Sequence, residues 1–447
     1  MIGIFKPAPA IDQMPKERSD KLYPRWRLKM FLVAYIGYFT YYFGRSSFSV
    51  AKQYLVGFNT EQMGLIGASL GVAYGLSKFL MGNVSDRSNP RYFLSTGLIL
   101  SGIINIIIPG MLGYGVSALV FIMFINGWVQ GMGWPPCGRI MTHWFSDGER
   151  GTKMGIWNTA HNVGAGFLPL IIVPIGIFLW GGNWFGLFYF AGIICIAVGI
   201  LIIIFGGDTP QSVGLPPIEE YTNDYPLEDV EKDLDNREQE MTSKQIFFKY
   251  VLCNKWLWMI AIANVFVYCV RYGLLNWSSY YLSDVKGMSK AGGLLGFALF
   301  ELPAIPGTIL IGWITDRYFK GKRAPMGVIC MALVFVGIIF YWKATSPIAL
   351  LSSLACIGFL IYGPVALIGI LALDLVPKKA AGTAAGFTGL FGYFLGTVGA
   401  EAVLGFIAQK WGWNVVFITL LVACALSVIM LAFSWNLHDR SKSHSSH

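Results

Sequence analysis

Three basic side chains fall inside long apolar stretches of the sequence, where charge is costly. Arg45, Lys78 and Arg271 each lie well within a run that approaches the roughly 20 apolar residues needed to cross a bilayer. Placing one Arg or Lys at mid-membrane costs about 2.5–3.5 kcal/mol, so the three imply roughly 8–10 kcal/mol. Such groups must face a cavity in which water or an anion solvates them. Their chemistry predicts an anion-binding site.

Helical spacing gives these bases polar neighbours on the same helix face. The predicted faces are Tyr38, Tyr42 and Arg45 in the first stretch, Tyr74 and Lys78 in the second, Asn158 and His161 in the fifth, and Tyr268 and Arg271 in the seventh. His161 joins the candidates because an imidazole protonated near neutral pH would help to bind a dianion. Structural histidines and packed tyrosines are the alternative interpretation. A polar stripe of this kind suits a wet cavity better than a lipid-facing surface.

Arginine indicates which anion the cavity takes. The planar guanidinium binds carboxylate or phosphate through two parallel hydrogen bonds, and two such groups suit an anion with three equivalent oxygens and up to two charges. Phosphate fits best, although spacing alone leaves a dicarboxylate open. Glu301, which we expect to be the only acid deep inside a span, is predicted to balance the charge of one base or to act in gating.

Composition places the chain in a membrane. Hydrophobic residues make up 55% and charged residues 13%, and the mean hydropathy is +0.58, whereas soluble domains carry about 25% charged residues. The strands of a membrane β-barrel would alternate apolar and polar residues, and this pattern is missing from the sequence. Twelve helical spans are therefore predicted, at 28–50, 62–84, 92–112, 117–137, 153–177, 183–206, 256–282, 292–315, 325–343, 346–374, 381–408 and 413–435.

The placement of positive charge predicts the orientation. The net charge of +9 would suggest nucleic acid in a soluble protein, but 25 of the 33 Lys and Arg residues fall on one side of the twelve spans. The positive-inside rule assigns that side, with both termini, to the cytoplasm. The first apolar run is too long for the core of a signal peptide and is expected to remain as the first helix. The seven scattered cysteines are expected to be free thiols.

The sequence repeats itself. G-x-x-x-D-R occurs at 82–87 and at 312–317, an offset of 230, and G-T-x-x-G recurs with an offset of 231. Arg45 and Arg271 are 226 residues apart. Six spans per repeat is an even number, so the two halves are parallel, as in the major facilitator fold. We predict halves at 1–206 and 256–447, joined by a solvated polar connector at 207–255.

The repeated motif is expected to organise the cytoplasmic helix ends during conformational change rather than to bind substrate. Its residues are Gly82, Asp86 and Arg87 in the first half and Gly312, Asp316 and Arg317 in the second. The glycines of "GMGWPPCG" fit no nucleotide-binding loop, because no strand precedes them and no Lys-Ser/Thr follows. No catalytic constellation, metal site or cofactor is predicted, and the chain is not expected to be an enzyme.

Several longer stretches resemble one protein family. They are "GNVSDRSNPR" (82–91), "QGMGWPPCGR" (130–139), "DTPQSVGLPPIEEYTNDYP" (208–226), "VFVYCVRYG" (265–273), "IYGPVALIG" (361–369) and "PKKAAGTAAGFTGLFGY" (377–393). The chain resembles the organophosphate:phosphate antiporters of the major facilitator superfamily, and within them the branch that imports glycerol 3-phosphate. The stretches occur in both halves and in the connector, so the resemblance covers nearly the whole chain.

The resemblance implies a monomeric bacterial membrane protein that exchanges external sn-glycerol 3-phosphate for internal inorganic phosphate, with phosphonate antibiotics as further substrates. It matches Arg45, Lys78, His161 and Arg271 to functional positions of the family and Glu301 to a mid-helix acid. The glycerol group would contact Tyr38, Tyr42 and Tyr268. The family often carries a lysine and an aspartate where this chain has Ser46 and Asn276, so that charge pair is not carried over. A hexose-phosphate antiporter and a membrane sensor of phosphate esters remain alternatives.

Overall fold

The computed structural model describes residues 5–223, 246–319, 322–376 and 381–435, and these form twelve long helices. In the first half they are α1 (Lys16–Ala51), α2 (Thr60–Asp86), α3 (Pro90–Met111), α4 (Val116–Gln130 and Trp134–Trp144), α5 (Asp147–Asn158, Ala160–Phe167, a π-helical Leu168–Ile172, and Val173–Leu179) and α6 (Gly186–Phe205). In the second half they are α7 (Lys255–Tyr280 and a π-helical Tyr281–Val285), α8 (Lys290–Glu301 and Ala304–Tyr318), α9 (Arg323–Lys343), α10 (Pro347–Asp374), α11 (Ala381–Phe391, π-helical Gly392–Thr397 and Gly399–Val403, and Leu404–Trp411) and α12 (Trp413–Phe433).

Local sequence signals set several helix ends. The side chains of Asn59, Asn89, Asn254 and Ser346 each accept a hydrogen bond from a backbone N–H in the first turn of α2, α3, α7 and α10, which satisfies donors that the helix itself leaves free. Gly412 separates α11 from α12 with a φ of 80°, a conformation that glycine adopts without steric cost. Each of the twelve predicted spans overlaps one of the twelve helices.

Ten helices of the described chain, α3 to α12, are long and apolar enough to cross a membrane. The helices α1 and α2 are not among these ten because of their composition. Their sequences carry Arg45 and Lys78 together with many Ser, Gly and Tyr residues, and much of α1 is buried inside the protein rather than exposed to lipid. Helices that enclose a polar site need less apolar surface than helices that face the bilayer.

The two halves repeat the same packing. In the first half α3 packs on α6, α2 on α4, and α1 on α5 and α6. The equivalent pairs of the second half, α9 with α12, α8 with α10, and α7 with α11 and α12, also pack together. Across the boundary between the halves, α2 contacts α11, α5 contacts α8, and α1 contacts α7. This is the predicted fold of two parallel six-helix repeats.

The predicted solvated connector is wrong for its first part. Asp208, Leu215 and Ile218 are buried, and the Asp208 carboxylate accepts a hydrogen bond from Arg139 Nη2 at 3.2 Å. Residues 207–223 therefore pack against the first half, because their apolar side chains are buried there and the carboxylate of Asp208 is hydrogen-bonded there. Most of the acidic run between Glu219 and Glu240, like the tail after residue 435, lies outside the described residues.

Glycines allow α8 and α10 to cross in close contact. A Cβ built on Gly358 would lie 2.0 Å from the carbonyl oxygen of Phe300, and one on Gly307 would lie 2.0 Å from that of Phe359. Small residues at helix crossings allow two backbones to approach where no aqueous hydrophobic effect drives association. The crossing fixes α8, which carries Glu301, against the rest of the second half.

We expect Gly358→Val to destabilise the protein by about 3 kcal/mol or more, because the added atoms overpack a backbone contact that has no flexible neighbour. Thermal unfolding in detergent and the yield of monodisperse protein would measure the loss. Gly369→Val is the matched control, since a Cβ at this position of the same helix would meet no atom within 4 Å. Equal stability of the two variants would contradict the packing argument.

Candidate functional site

Arg45 lies on α1 among tyrosines from both halves. Its guanidinium carbon is 3.7 Å from the ring centroid of Tyr74, 5.3 Å from that of Tyr42 and 5.6 Å from that of Tyr393. Tyr42 and Tyr74 come from the first half, whereas Tyr393 comes from the π-helical part of α11. Aromatic faces attract a guanidinium without neutralising it, so the full positive charge of Arg45 is available to a ligand.

Arg271 is the equivalent group on α7, and its residue is only 3% exposed. Nη2 donates a hydrogen bond to Tyr362 Oη at 3.0 Å. The guanidinium carbon also lies 4.7 Å from the ring centroid of Tyr272 and 5.8 Å from that of Tyr268. Nε of Arg271 and Oη of Tyr272 are buried and have no hydrogen-bond partner among the described residues. Buried polar groups are usually satisfied, so these two indicate a place for water or a ligand.

Glu301 ends the first segment of α8, directly before the break at Pro303. Its residue is fully buried, and Oε2 accepts a hydrogen bond from Nδ2 of Asn162 on α5 at 2.7 Å. This bond joins the two halves. Among the described residues, Oε1 has no hydrogen-bond partner, and no Lys or Arg nitrogen lies within the 4 Å of an ion pair with Glu301.

One cavity contains both arginines. Its volume available to the centres of water molecules is about 40 Å³, enough for a few waters. Its lining comprises Tyr42, Arg45, Ser46, Phe48, Ser49, Gly67, Leu70, Gly71, Met123, Arg271, Tyr272, Leu275, Asn276, Glu301, Thr397 and Glu401. Among the described residues, no carboxylate forms an ion pair with Arg45, Lys78 or Arg271. The two guanidiniums therefore face a shared chamber and remain uncompensated.

Four of the ten predicted binding and charge-balance residues line this chamber, and six lie outside its lining. Tyr42, Arg45, Arg271 and Glu301 are in the lining, whereas Tyr38, Tyr74, Lys78, Asn158, His161 and Tyr268 are not. Five of those six are linked to the chamber through aromatic rings. Tyr38 packs on Tyr42 at 5.7 Å, and Tyr268 packs on Tyr272 at 5.7 Å. Lys78 Nζ lies 5.1 Å from the Tyr393 ring, which in turn lies 6.3 Å from the ring of Tyr272.

His161 and Asn158 illustrate the limit of helical spacing as a guide. The His161 ring lies 5.6 Å from that of Tyr42 and 5.8 Å from that of Tyr362, so it connects α5 to both halves. Its Nδ1 hydrogen-bonds to the backbone carbonyl of Asn158. The side chain of Asn158 itself is exposed. Only the histidine of this predicted pair is therefore directed toward the residues around the chamber.

The repeated G-x-x-x-D-R residues lie at the ends of α2 and α8, away from the chamber. Arg87 caps α2 and is exposed, and the side chain of Asp86 is outside the described set. Asp316 accepts a hydrogen bond from Arg323 at 2.6 Å. A Cβ on Gly82 or Gly312 would meet no atom of the described residues within 4 Å. The remaining member, Arg317, is also exposed.

Sequence reasoning missed an acid. The prediction that Glu301 is the only acid deep in a span is wrong, because Glu401 lies in α11 with its residue only 2% exposed. Its Oε2 accepts a hydrogen bond from Lys52 Nζ at 2.6 Å, and its Oε1 accepts one from Asn276 Nδ2 at 2.7 Å. Lys52, which follows the last residue of α1, is also buried. The sequence signal was slight, since it consists of Asn276 at one position of the family pair that this chain lacks.

Tyr272, Tyr362, Tyr393 and Asn162 were also missed as site residues. Tyr272 follows Tyr268 by four positions and so shares its helix face, which the same spacing rule would have found. Tyr362 and Tyr393 lie on α10 and α11, far in the sequence from Arg45, Lys78 and Arg271. Their positions depend on tertiary packing.

Comparisons with known proteins place these features in a family. The sequence model of the Major Facilitator Superfamily matches residues 34–400. The glycerol-3-phosphate transporter of Bacillus subtilis is 51% identical, over 99% of this chain and 100% of that protein. A probable hexose phosphate transport protein of Chlamydia trachomatis is 40% identical, over 99% of each chain. A solved bacterial homologue of the human lysosomal transporter Spinster, 17% identical, covers 93% of this chain and 97% of its own with a TM-score of 0.67.

Proposed function

The chain belongs to the major facilitator superfamily, and from this premise we propose that it imports sn-glycerol 3-phosphate into a bacterial cell in exchange for inorganic phosphate. Each half contributes one arginine, and the chamber between the halves binds the phosphoryl group. The molecule alternates between states that open this chamber to one side of the membrane or the other. It is a transporter and carries out no covalent chemistry.

One observation carries the proposal. Arg45 from the first half and Arg271 from the second line a single cavity, and no described carboxylate pairs with either. Two planar forks on opposite sides of a small cavity can hold a phosphoryl group bidentately from both halves. The ligand would thus connect the two bodies that must move.

The charge of the site suits a dianion. Around the chamber, Arg45, Arg271 and Lys78 provide three positive charges and Glu301 provides one negative charge, while Lys52 and Glu401 cancel. Two positive charges remain. A phosphate or phosphate monoester carries about −1.5 to −2 at neutral pH and would neutralise this excess, whereas a cation or a neutral sugar would not.

The non-phosphate end of the substrate is assigned from the relatives and from polar groups of the chamber. The Bacillus subtilis relative is a glycerol-3-phosphate transporter, and it is more similar to this chain than the chlamydial hexose phosphate relative. Thr397 lines the chamber with Ser46 and Ser49, and its buried Oγ1 has no hydrogen-bond partner among the described residues. Short hydroxyl-bearing side chains of this kind suit the two hydroxyl groups of a glycerol ester.

The orientation follows from positive charge. The side that holds the chain ends and the G-x-x-x-D-R loops carries 25 of the 33 Lys and Arg residues, so we assign it to the cytoplasm. The same chamber would admit phosphonate antibiotics that mimic the ester. The protein acts as a monomer in this proposal, because one chain supplies both halves of the site.

Competition for phosphate exchange tests the substrate. We expect unlabelled sn-glycerol 3-phosphate to block uptake of labelled phosphate into phosphate-loaded proteoliposomes at a concentration at least about ten-fold lower than glucose 6-phosphate does, a difference of about 1.4 kcal/mol. The larger sugar ester must displace more of the chamber lining. Stronger competition by glucose 6-phosphate would favour a hexose-phosphate antiporter. Saturable binding of the esters without any exchange would favour a membrane sensor.

A further inference from the structure

A buried ion pair joins the two halves at one end of the chamber. Lys52 follows the last residue of α1 and its side chain is 0% exposed, and the Glu401 side chain is 3% exposed. Lys52 Nζ lies 2.6 Å from Glu401 Oε2 and 3.8 Å from the centroid of the Trp277 ring. Among the ion pairs of the described residues, this pair links the two halves. The others lie within one half or its connector.

The surroundings of the pair are built to hold it. Asn276 of α7 donates to the second oxygen of Glu401, so both carboxylate oxygens are bonded. Gly67 of α2 makes room for the carboxylate, because a Cβ there would lie 2.5 Å from Glu401 Oε2. Beside the pair, Thr60 Oγ1 donates to the backbone oxygen of Gly405 at 3.0 Å. Four helices, α1, α2, α7 and α11, thus meet around one carboxylate.

The position of the pair relative to the chamber indicates its role. Glu401 and Asn276 line the same cavity as Arg45 and Arg271. α1 ends and α2 begins at this end of the molecule, whereas the G-x-x-x-D-R loops lie at the opposite end of α2. The pair therefore lies between the chamber and the face that the proposed function assigns to the cell exterior.

We propose that Lys52, Glu401 and Asn276 form the latch that holds the chamber closed toward the exterior and that must separate each time the chamber opens to that side. The inference rests on the alternating access of the proposed function. With this latch the chain has a charge pair between its two halves, from the end of α1 and from α11. Ser46 and Asn276 occupy the positions at which related transporters often carry charges.

The energetics suit a latch. Losing one partner of a buried pair is far more costly than losing both, because the remaining charge stays desolvated without compensation. In the closed arrangement each charge is paired and bonded, and in the open arrangement water replaces the partner. Removing one charge should therefore destabilise only the closed arrangement and shift the population toward the open one.

The test measures how accessible the chamber is from outside the cell. Ser49 lines the chamber, so Ser49→Cys, in full-length protein whose seven native cysteines are replaced, reports opening when intact cells are treated with a membrane-impermeant thiol reagent. We expect Glu401→Gln, which keeps the shape of the side chain, and Lys52→Met each to increase the labelling rate at least about ten-fold. The double variant should label nearly as slowly as the parent, because neither charge is left unpaired.

Lys410→Ala is the matched control. It removes a lysine from the same end of α11, where the side chain is exposed and joins no ion pair that the structure gives for the described residues, and it should leave labelling unchanged. Unchanged labelling in both single variants, or a double variant as fast as either single, would overturn the latch. The readout is thiol labelling rather than transport, so it does not depend on which ester is transported, and the competition assay decides the substrate separately.

Discussion

Replacing either chamber arginine by lysine, Arg45→Lys or Arg271→Lys, is expected to reduce phosphate self-exchange in proteoliposomes by roughly a hundred-fold, to near the background of protein-free vesicles. Lysine keeps the charge and most of the length of the side chain but loses the planar fork that binds two phosphate oxygens at once. Hydrogen bonds to charged groups are worth about 1.5–3 kcal/mol, and each 1.4 kcal/mol corresponds to a factor of ten. A loss of at least this size is expected at both positions, because each half contributes one guanidinium to the chamber.

Arg271→Lys carries a second cost. The bond from Nη2 to Tyr362 Oη and the aromatic contacts of the guanidinium fix its orientation in the free protein. A flexible ammonium would not be held by these planar contacts in the same way. Arg25→Lys, an exposed position on the first turns of α1, is the control and should exchange at the parental rate. Near-normal exchange by either chamber variant, with folding verified by thermal unfolding, would contradict the two-arginine site.

The fold was predictable because the repeat is recorded directly in the sequence. Two copies of G-x-x-x-D-R and two arginines inside apolar stretches at nearly the same offset require two similar halves, and each apolar stretch has the length of one helix. The twelve predicted spans therefore agree with the observed helices to within a few residues at most ends. Where they differ, as in α1 and α4, the helix continues beyond the apolar stretch as a polar extension that hydropathy alone does not detect.

The arginines were predictable for a related reason, and Glu401 was not. A full charge in the middle of an apolar run demands a partner, so Arg45 and Arg271 were identified from their cost alone. Lys52 lies near a span end, where a lysine normally reaches the membrane surface. Its pairing with an acid 349 residues away is a product of tertiary packing. The π-helical segments of α11 also shift Tyr393 and Glu401 from the faces that regular helical spacing would give.

Net efflux of phosphate, without a counter-substrate outside the vesicles, should be slow. When phosphate-loaded proteoliposomes are diluted into phosphate-free medium, we expect efflux at least about ten-fold slower than into medium that contains phosphate. The empty chamber has two more positive than negative charges around it, and closing it brings Arg45 and Arg271 together without an anion. Repulsion between desolvated like charges amounts to a few kcal/mol at an effective dielectric constant of about 20, which slows the return of the empty protein but not of the loaded one.

Removing a positive charge beside the chamber should change the ratio between exchange and net efflux in the same assay. Lys78→Met removes one positive charge near the chamber and leaves both guanidinium forks in place, so it should speed the return of the empty protein and narrow the ratio between exchange and net efflux. Lys343→Met, an exposed lysine at the end of α9, is the matched control and should leave the ratio at the parental value. If net efflux is as fast as exchange in the parent protein, or if Lys78→Met leaves the ratio unchanged, electrostatic repulsion in the empty chamber is not what couples the two fluxes.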